Sequence, residues 1–155
     1  MEQPAQNQSA PILIVEDSLS DYESVLRAFH KLGMHNPVFH CESGEDALDF
    51  LAGKQPRAND ERAPRPGIIL LDLNLPGTDG RDVLKKVKAD ADLRSIPVVI
   101  LTTSDSEKDV RECYLYGANS YMTKSASWDQ FFKELENFKN FFLQTARLPI
   151  YGEVA

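Results

Sequence analysis

Charged and hydroxyl side chains lie at the ends of the apolar runs of this sequence. Glu16 and Asp17 follow the first run and Asp72 the third, Thr102 closes the fourth, and Lys124 follows the fifth. Clustered carboxylates attract a hard divalent cation, and Mg²⁺ suits a site that combines few protein oxygens with water and phosphate oxygens. A carboxylate can attack phosphorus, while a cation and an ammonium neutralise the phosphoryl oxygens. If the chemistry is phosphoryl transfer, each of these residue types has a role, and Asp72 would be the nucleophile.

The elements that would position these residues follow from the hydrophobic pattern. Apolar runs at 11–15, 37–40, 67–72, 96–102 and 119–123 alternate with segments of helical period. Continuous apolar strands are typical of a parallel sheet that is covered on both faces. The sequence thus predicts an α/β fold, a doubly wound (βα)5 sandwich with a central five-stranded parallel sheet, flavodoxin-like in layout. Such sheets bind ligands at the carboxyl ends of their strands, where the chemical residues would meet.

Serine and glycine residues indicate where several helices begin and end. Ser20, Ser104 and Ser127 each precede an acid or glutamine by three residues, which is the capping-box spacing and predicts three helix starts. Gly33 and Gly117 lie where two helices would end.

The acidic pair, the segment DLNLPGTDG, the threonine and the lysine occur in one order along the chain. As a set they resemble the response regulator receiver domain of two-component signalling, over about residues 10 to 144. Within that family the chain is most similar to the small single-domain regulators paired with phytochrome-type histidine kinases. The stretches DLNLPGTDGRDVLKKVKAD and LRSIPVVILTTS carry this closer resemblance.

The resemblance implies a role for each residue of the predicted site. Asp72 would be the phosphoacceptor. The Mg²⁺ ligands would be Glu16, Asp17, Asp72 and the backbone carbonyl of Asn74. The phosphoryl-binding and switch residues would be Thr102, Tyr121 and Lys124, and the residues that tune dephosphorylation would be Asn74 and Ser104.

One position departs from the family pattern. Ser125 follows Lys124, where receivers usually carry a proline with a cis peptide bond. A cis bond to a non-proline residue costs roughly 2.5–4 kcal/mol. The sequence leaves open whether this bond is cis or trans.

Composition narrows the partners and the location. A net charge of −7 in 155 residues argues against a nucleic-acid surface and against binding to anionic membranes. The first residues lack the features of a signal peptide, so we predict a cytoplasmic protein. We expect a disordered lead over 1–9, a receiver domain over 10–144 and a C-terminal extension over 145–155.

The final helix and extension contain more large apolar residues than one helical face needs. We expect some of them to form a homodimer interface, because exposed apolar patches usually mark interfaces. The candidates are Phe132, Phe141, Leu148, Ile150 and Tyr151. The alternative is an extension that folds back on its own domain.

The predicted function is that of a response regulator. None of the three histidines is expected at the site, so a sensor histidine kinase would supply the phosphoryl group. The protein would catalyse only its own phosphorylation and dephosphorylation. Its signal would pass by contact to a downstream protein or phosphotransfer partner.

Three alternatives belong to other functional classes. One is a receiver-like scaffold that works without phosphorylation. Another is a Mg²⁺-dependent aspartyl phosphatase, which usually has a second acid two residues after the nucleophile, where this chain has Asn74. A flavin-binding protein would need a hydroxyl- and glycine-rich phosphate loop after the first strand, where this chain has two acids.

Overall fold

The computed structural model describes residues 4–53 and 64–149, and its centre is a five-stranded parallel sheet. Residues 54–63, most of a polar connection before the third strand, lie outside the described part of the chain. The strands are β1 (Ile12–Val15), β2 (Val38–Cys41), β3 (Ile68–Leu71), β4 (Val98–Thr102) and β5 (Ser120–Thr123). Their order in the sheet is β2-β1-β3-β4-β5. The predicted doubly wound fold is confirmed.

Side chains of the central strands alternate between two apolar layers. Leu13 and Val15 pack in the layer on one face of the sheet, whereas Ile12 and Ile14 pack in the layer on the other. All four residues of β1 are buried, as expected for a strand that is covered on both faces.

Helices cover the two faces of the sheet. They are α1 (Pro4–Ser9), α2 (Leu19–Lys31), α3 (Gly44–Leu51), α4 (Gly80–Ala89), α5 (Glu107–Leu115) and α6 (Trp128–Phe138), and a π-helix continues from α6 over Lys139–Thr145. Within the described residues, we find no helix with the length and apolar content needed to cross a membrane.

Two of the three predicted helix starts are wrong by two residues. Ser18, not Ser20, caps α2, since its side chain accepts a hydrogen bond from the Asp21 amide. Ser106, not Ser104, caps α5. In both places two serines, two residues apart, each precede an acid by three residues, so the capping spacing alone does not distinguish them. Ser127 caps α6 as predicted.

The two predicted helix ends are confirmed. Gly33 and Gly117 follow α2 and α5 with φ angles of 68° and 103°. This left-handed region favours glycine because a side chain would be strained there.

Pro4–Ser9 forms a helix, where the sequence predicted a disordered lead over 1–9; residues 1–3 of that lead lie outside the described part of the chain. The buried side chain of Asn7 donates to the carbonyl oxygens of Phe142 and Ala146, at 3.3 and 2.6 Å. Its amide oxygen accepts from the backbone N–H of Leu148 at 3.3 Å. These long-range hydrogen bonds stabilise α1 against the C-terminal segment, and sequence composition does not report them.

The C-terminal extension folds back on its own domain at Leu148. This side chain is 8 % exposed and packs in the same apolar cluster as Leu143, so its assignment to a dimer interface is wrong. In a π-helix the hydrogen bonds span five residues, which changes the residues that face the sheet after α6. Phe141 is 55 % exposed and Phe132 is partly buried, while Ile150 and Tyr151 lie outside the described residues.

Candidate functional site

The sheet extends its hydrogen bonding just beyond the strand ends and thereby positions the candidate residues. The amide of Asp72 donates to the carbonyl oxygen of Val15 at 3.0 Å. The amide of Glu16 donates to Cys41 at 3.0 Å, and that of Lys124 donates to Thr102 at 2.6 Å. Residues that are distant in sequence are therefore held at one edge by backbone contacts.

Close packing of α4 supports the backbone of the central carboxylate. A Cβ atom at Gly80 would lie 2.1 Å from the carbonyl oxygen of Asp72, so a side chain cannot fit there. The amide of Gly80 donates to the Leu73 carbonyl oxygen at 2.9 Å. Asp79 caps α4 through the Arg81 amide. The start of α4 is thus packed directly on the strand end that carries Asp72.

Three carboxylates meet at this edge. Glu16, Asp17 and Asp72 each offer an oxygen within 4.8 Å of the others. Glu16 is 4 % and Asp72 7 % exposed, whereas Asp17 is exposed. Hard oxygen donors of this kind fit a divalent cation such as Mg²⁺ or Mn²⁺. The exposed member leaves a route from solvent.

Lys124 uses its ammonium on three carboxylates. Its Nζ lies 2.5 Å from Glu16 Oε2, 2.9 Å from Asp21 Oδ2 and 3.1 Å from Asp72 Oδ2. The Lys124 side chain is 7 % exposed. An ammonium has three N–H donors, so each has one acceptor. The sequence pattern did not predict a role for Asp21, although its place in the first turn after the acidic pair was a usable signal.

Burial and neighbouring charges shift the pKa values of Glu16 and Lys124. Desolvation raises the pKa of Glu16 to about 7, against hydrogen bonds from Lys124 and the Ser18 amide. Burial disfavours the ammonium of Lys124, but hydrogen bonds to Glu16 and Asp21 and the charge of Asp72 outweigh it and raise the pKa of Lys124. Lys124 is therefore charged near neutral pH, and Glu16 holds a proton more readily than an ordinary glutamate.

Thr102 contributes a buried hydroxyl with no acceptor or donor among the described residues. The residue is fully buried, and its Oγ1 has no hydrogen-bond partner there. An unpartnered buried hydroxyl costs free energy. An oxygen-rich ligand at the strand ends would satisfy it, which fits the predicted phosphoryl contact.

Tyr121 and Ser104 are linked on the neighbouring surface. The Tyr121 hydroxyl donates to the Ser104 carbonyl oxygen at 2.8 Å, and the Ser104 hydroxyl donates to Asp109 Oδ2 at 2.6 Å. Burial raises the pKa of Tyr121. The ring is partly buried and packs on the apolar core. The structure therefore ties the predicted switch tyrosine to the segment between β4 and α5.

Two further predicted details can be located. The backbone N–H of the exposed residue Asn74 donates to Asp72 Oδ1 at 3.3 Å, so Asn74 lies beside the carboxylate. Lys124 and Ser125 are joined by a trans bond, since the described residues contain no cis peptide. The question that the sequence left open is thereby answered.

One histidine lies closer to the site than the sequence suggested. His40 Nε2 is 2.7 Å from the backbone carbonyl oxygen of Glu16, and its ring stacks on Tyr22 with centroids 3.6 Å apart. The contact is to backbone, at a neighbouring strand end. His40 therefore contacts the backbone of the acidic pair at Glu16.

Comparison with known proteins gives a consistent result across most of the chain. The family described as response regulator receiver domain matches residues 12–136. Response regulator Rcp1 from Synechocystis sp. is 41 % identical over 138 residues, covering 89 % of this chain and 92 % of Rcp1.

Solved structures agree with that match. The phosphorylated cyanobacterial phytochrome response regulator RcpA has a TM-score of 0.84 and 39 % identity, covering 92 % of this chain and 99 % of its own. The Mn²⁺-bound form of Rcp1 has a TM-score of 0.83 and 40 % identity, with coverage of 91 % and 99 %. The fold, the carboxylate cluster and these similarities agree: this chain belongs to the response regulator receiver domain family.

Proposed function

We propose that Asp72 accepts a phosphoryl group from the phosphohistidine of a sensor histidine kinase, with Mg²⁺ bound at the adjacent carboxylates. The observation that carries this proposal is the contact of 3.1 Å between Asp72 Oδ2 and the Lys124 ammonium, inside a cluster of three carboxylates. A nucleophile beside a buried cation and a candidate metal site is the arrangement that phosphoryl transfer requires.

The chemical step forms one bond and breaks one bond. An oxygen of Asp72 attacks phosphorus, the P–N bond of the phosphohistidine breaks, and the imidazole nitrogen keeps the electron pair. Lys124 then donates to a phosphoryl oxygen in place of the Asp72 carboxylate. The unpartnered hydroxyl of Thr102 donates to another phosphoryl oxygen.

Mg²⁺ would be held by Glu16, Asp17, Asp72 and the backbone carbonyl of Asn74. When bound, it supplies positive charge that neutralises the phosphoryl oxygens during transfer. The Mn²⁺ named for the related Rcp1 structure is a similar hard cation.

The response to phosphorylation would pass through the segment between β4 and α5. Movement of Thr102 toward the phosphoryl group pulls on this segment, to which Tyr121 is bonded through the Ser104 carbonyl. Rotation of Tyr121 would accompany a shift between two populated states. The side chains of Asn74 and Ser104 would set the rate of dephosphorylation.

The partner kinase is proposed to be of the phytochrome type, because RcpA is named as a phytochrome response regulator. We place this exchange in the cytoplasm. The signal would pass by contact to a downstream protein or phosphotransfer partner. The protein would also form a homodimer whose interface includes the exposed ring of Phe141.

Phosphotransfer from a purified phytochrome-type kinase tests the proposal. The kinase is first phosphorylated and freed of ATP, then mixed with this protein with Mg²⁺ or with EDTA. Transfer is expected for the native protein with Mg²⁺, and neither for Asp72→Asn nor in EDTA. If the native protein receives no phosphoryl group, although a known receiver is phosphorylated by the same kinase preparation in parallel, the result would favour the phosphorylation-independent scaffold.

A further inference from the structure

We propose that Asp21 is a positioning residue for Lys124, which holds the ammonium beside Asp72 when the other carboxylates bind the metal. This inference rests on the proposed function. Asp21 belongs to the first turn of α2, and its amide donates to the capping hydroxyl of Ser18. The side chain of Asp21 is therefore mounted on a fixed helix start.

The contact is short and is made to a buried cation. Asp21 Oδ2 lies 2.9 Å from Lys124 Nζ. The Lys124 side chain is 7 % exposed, whereas that of Asp21 is 41 % exposed. Asp21 thus reaches the ammonium from the solvent side of the site, while Glu16 and Asp72 reach it from the buried side.

Asp21 differs from the other partners of Lys124 in one respect. Glu16 and Asp72 belong to the group of carboxylates that can share a metal ion, and Asp21 does not. Glu16 already accepts the Ser18 amide at its second oxygen, Oε1, at 3.0 Å. A metal at the shared carboxylates would compete with Lys124 for Glu16 and Asp72, but not for Asp21.

Asp21 can also hold Lys124 after the phosphoryl group has been transferred. Once Asp72 carries a phosphoryl group, one of its oxygens is bonded to phosphorus and Lys124 turns to the phosphoryl oxygens. Asp21 can remain its acceptor in both states. Because a lysine side chain has many rotamers, a retained acceptor lowers the entropy cost of aiming the ammonium at the phosphoryl group.

A positioning role and a general charge effect of Asp21 predict opposite changes in anion binding when Asp21 is replaced by alanine. Removal of a negative charge beside an anion site strengthens anion binding through Coulomb's law alone. Loss of the Lys124 anchor weakens it. Binding of a phosphoryl analogue by Asp21→Ala therefore distinguishes the positioning role from a general charge effect.

The sequence contains one tryptophan, which supplies the optical signal. Trp128 lines the same cleft of about 500 Å³ as Asp21, Lys124 and Ser125. Its fluorescence can follow Mg²⁺ binding first, and then beryllofluoride binding at saturating Mg²⁺. Beryllofluoride stands in for the phosphoryl group on Asp72. The matched control is Glu23→Ala, which removes an exposed acid from the same helix.

Asp21→Ala is expected to weaken beryllofluoride binding about fivefold, the upper range for a partly exposed ion pair, and to leave the Mg²⁺ affinity within about twofold. Asp21→Asn, which keeps an oxygen acceptor, should recover part of the loss, and Glu23→Ala should bind like the native protein. Urea unfolding of both Asp21 variants tests whether they are folded.

Unchanged or tighter analogue binding by Asp21→Ala would overturn the positioning role, and so would an equal loss in Glu23→Ala. Failure of the native protein to bind the analogue is a different result. In that case the proposed phosphoacceptor function fails, and the role of Asp21 fails with it.

Discussion

The guanidinium of Arg81 lies 2.6 Å from the Asp109 carboxylate and so ties the start of α4 to the start of α5. Arg81 also contacts Asp79 at 3.0 Å. Asp109 accepts the Ser104 hydroxyl, and this bond, with that from Arg81, lowers the pKa of Asp109. The helix beside Asp72 and the segment that carries Ser104 are therefore joined by one ionic network.

We expect Arg81→Ala to lower the free energy of unfolding by about 1–2 kcal/mol, because a partly buried network contributes more than a single surface pair. Urea denaturation followed by circular dichroism measures the change. The control is Lys108→Ala, since Lys108 is 78 % exposed and lies 3.9 Å from Glu112. The control should change stability by less than about 0.5 kcal/mol; equal losses in both variants would contradict the proposed contribution of the network.

Replacement of Thr102 by valine separates stability from ligand binding. The hydroxyl has no partner among the described residues, so Thr102→Val should leave the free energy of unfolding unchanged or raise it by about 1 kcal/mol. The same variant should bind beryllofluoride more weakly. Thr102→Ser, which keeps the hydroxyl, is the control for binding. A large loss of stability in Thr102→Val would mean that the hydroxyl is satisfied in the free protein.

The raised pKa of Glu16 predicts a pH-dependent metal affinity. Protonated Glu16 must lose its proton to bind Mg²⁺, and its pKa is about 7. Mg²⁺ binding should therefore strengthen about tenfold between pH 6 and pH 8, as measured by Trp128 fluorescence. Glu16→Gln should bind Mg²⁺ weakly with little dependence on pH in this range. A native affinity that does not change with pH would contradict the shift.

For the metal-free protein, the raised pKa of Glu16 predicts a free energy of unfolding that decreases as the pH rises. A folded-state pKa above the ordinary value of 4.5 means that the folded form binds more protons than the unfolded form. The stability due to Glu16 is thus fully present below pH 4.5 and is lost as the pH rises through about 7. Denaturation in EDTA across this range, with Glu16→Gln as the reference, should show the decline.

Phe141 tests the dimer proposal, and Leu148 tests the packing of the C-terminal segment on its own domain. Leu148 is 8 % and Phe141 55 % exposed. Leu148→Ala should lower the free energy of unfolding by about 2–3 kcal/mol through loss of core packing. Phe141→Asp should leave the folded domain stable and shift sedimentation equilibrium toward monomer. A native protein that is monomeric at high concentration would contradict the proposed dimer.

The sheet and the position of the site could be predicted because both depend on local pattern. Continuous apolar runs identify parallel strands, and the residues that follow them must meet at one edge. The positions of Asp72 and Lys124 at this edge follow from the strand pattern alone. The order of the strands then brought them within 3.1 Å.

The remaining features depend on side-chain contacts between distant segments. The helix at the N-terminus contacts the C-terminal segment through Asn7, and Leu148 packs in a core cluster with residues from distant segments. Ser18 and Ser20 each precede an acid by three residues, so the capping spacing does not distinguish them. Asp21 was visible as an acid, but its contact with Lys124 joins residues 103 positions apart.

The intact mass of the purified protein after incubation with acetyl phosphate tests the assignment of Asp72 as the phosphoacceptor. The native protein is measured with Mg²⁺ and with EDTA, and Asp72→Asn is measured with Mg²⁺. We expect one phosphoryl adduct on the native protein with Mg²⁺, and none in the other two samples. An adduct that persists in Asp72→Asn, or the absence of any adduct on the native protein with Mg²⁺, would contradict the assignment of Asp72 as the phosphoacceptor.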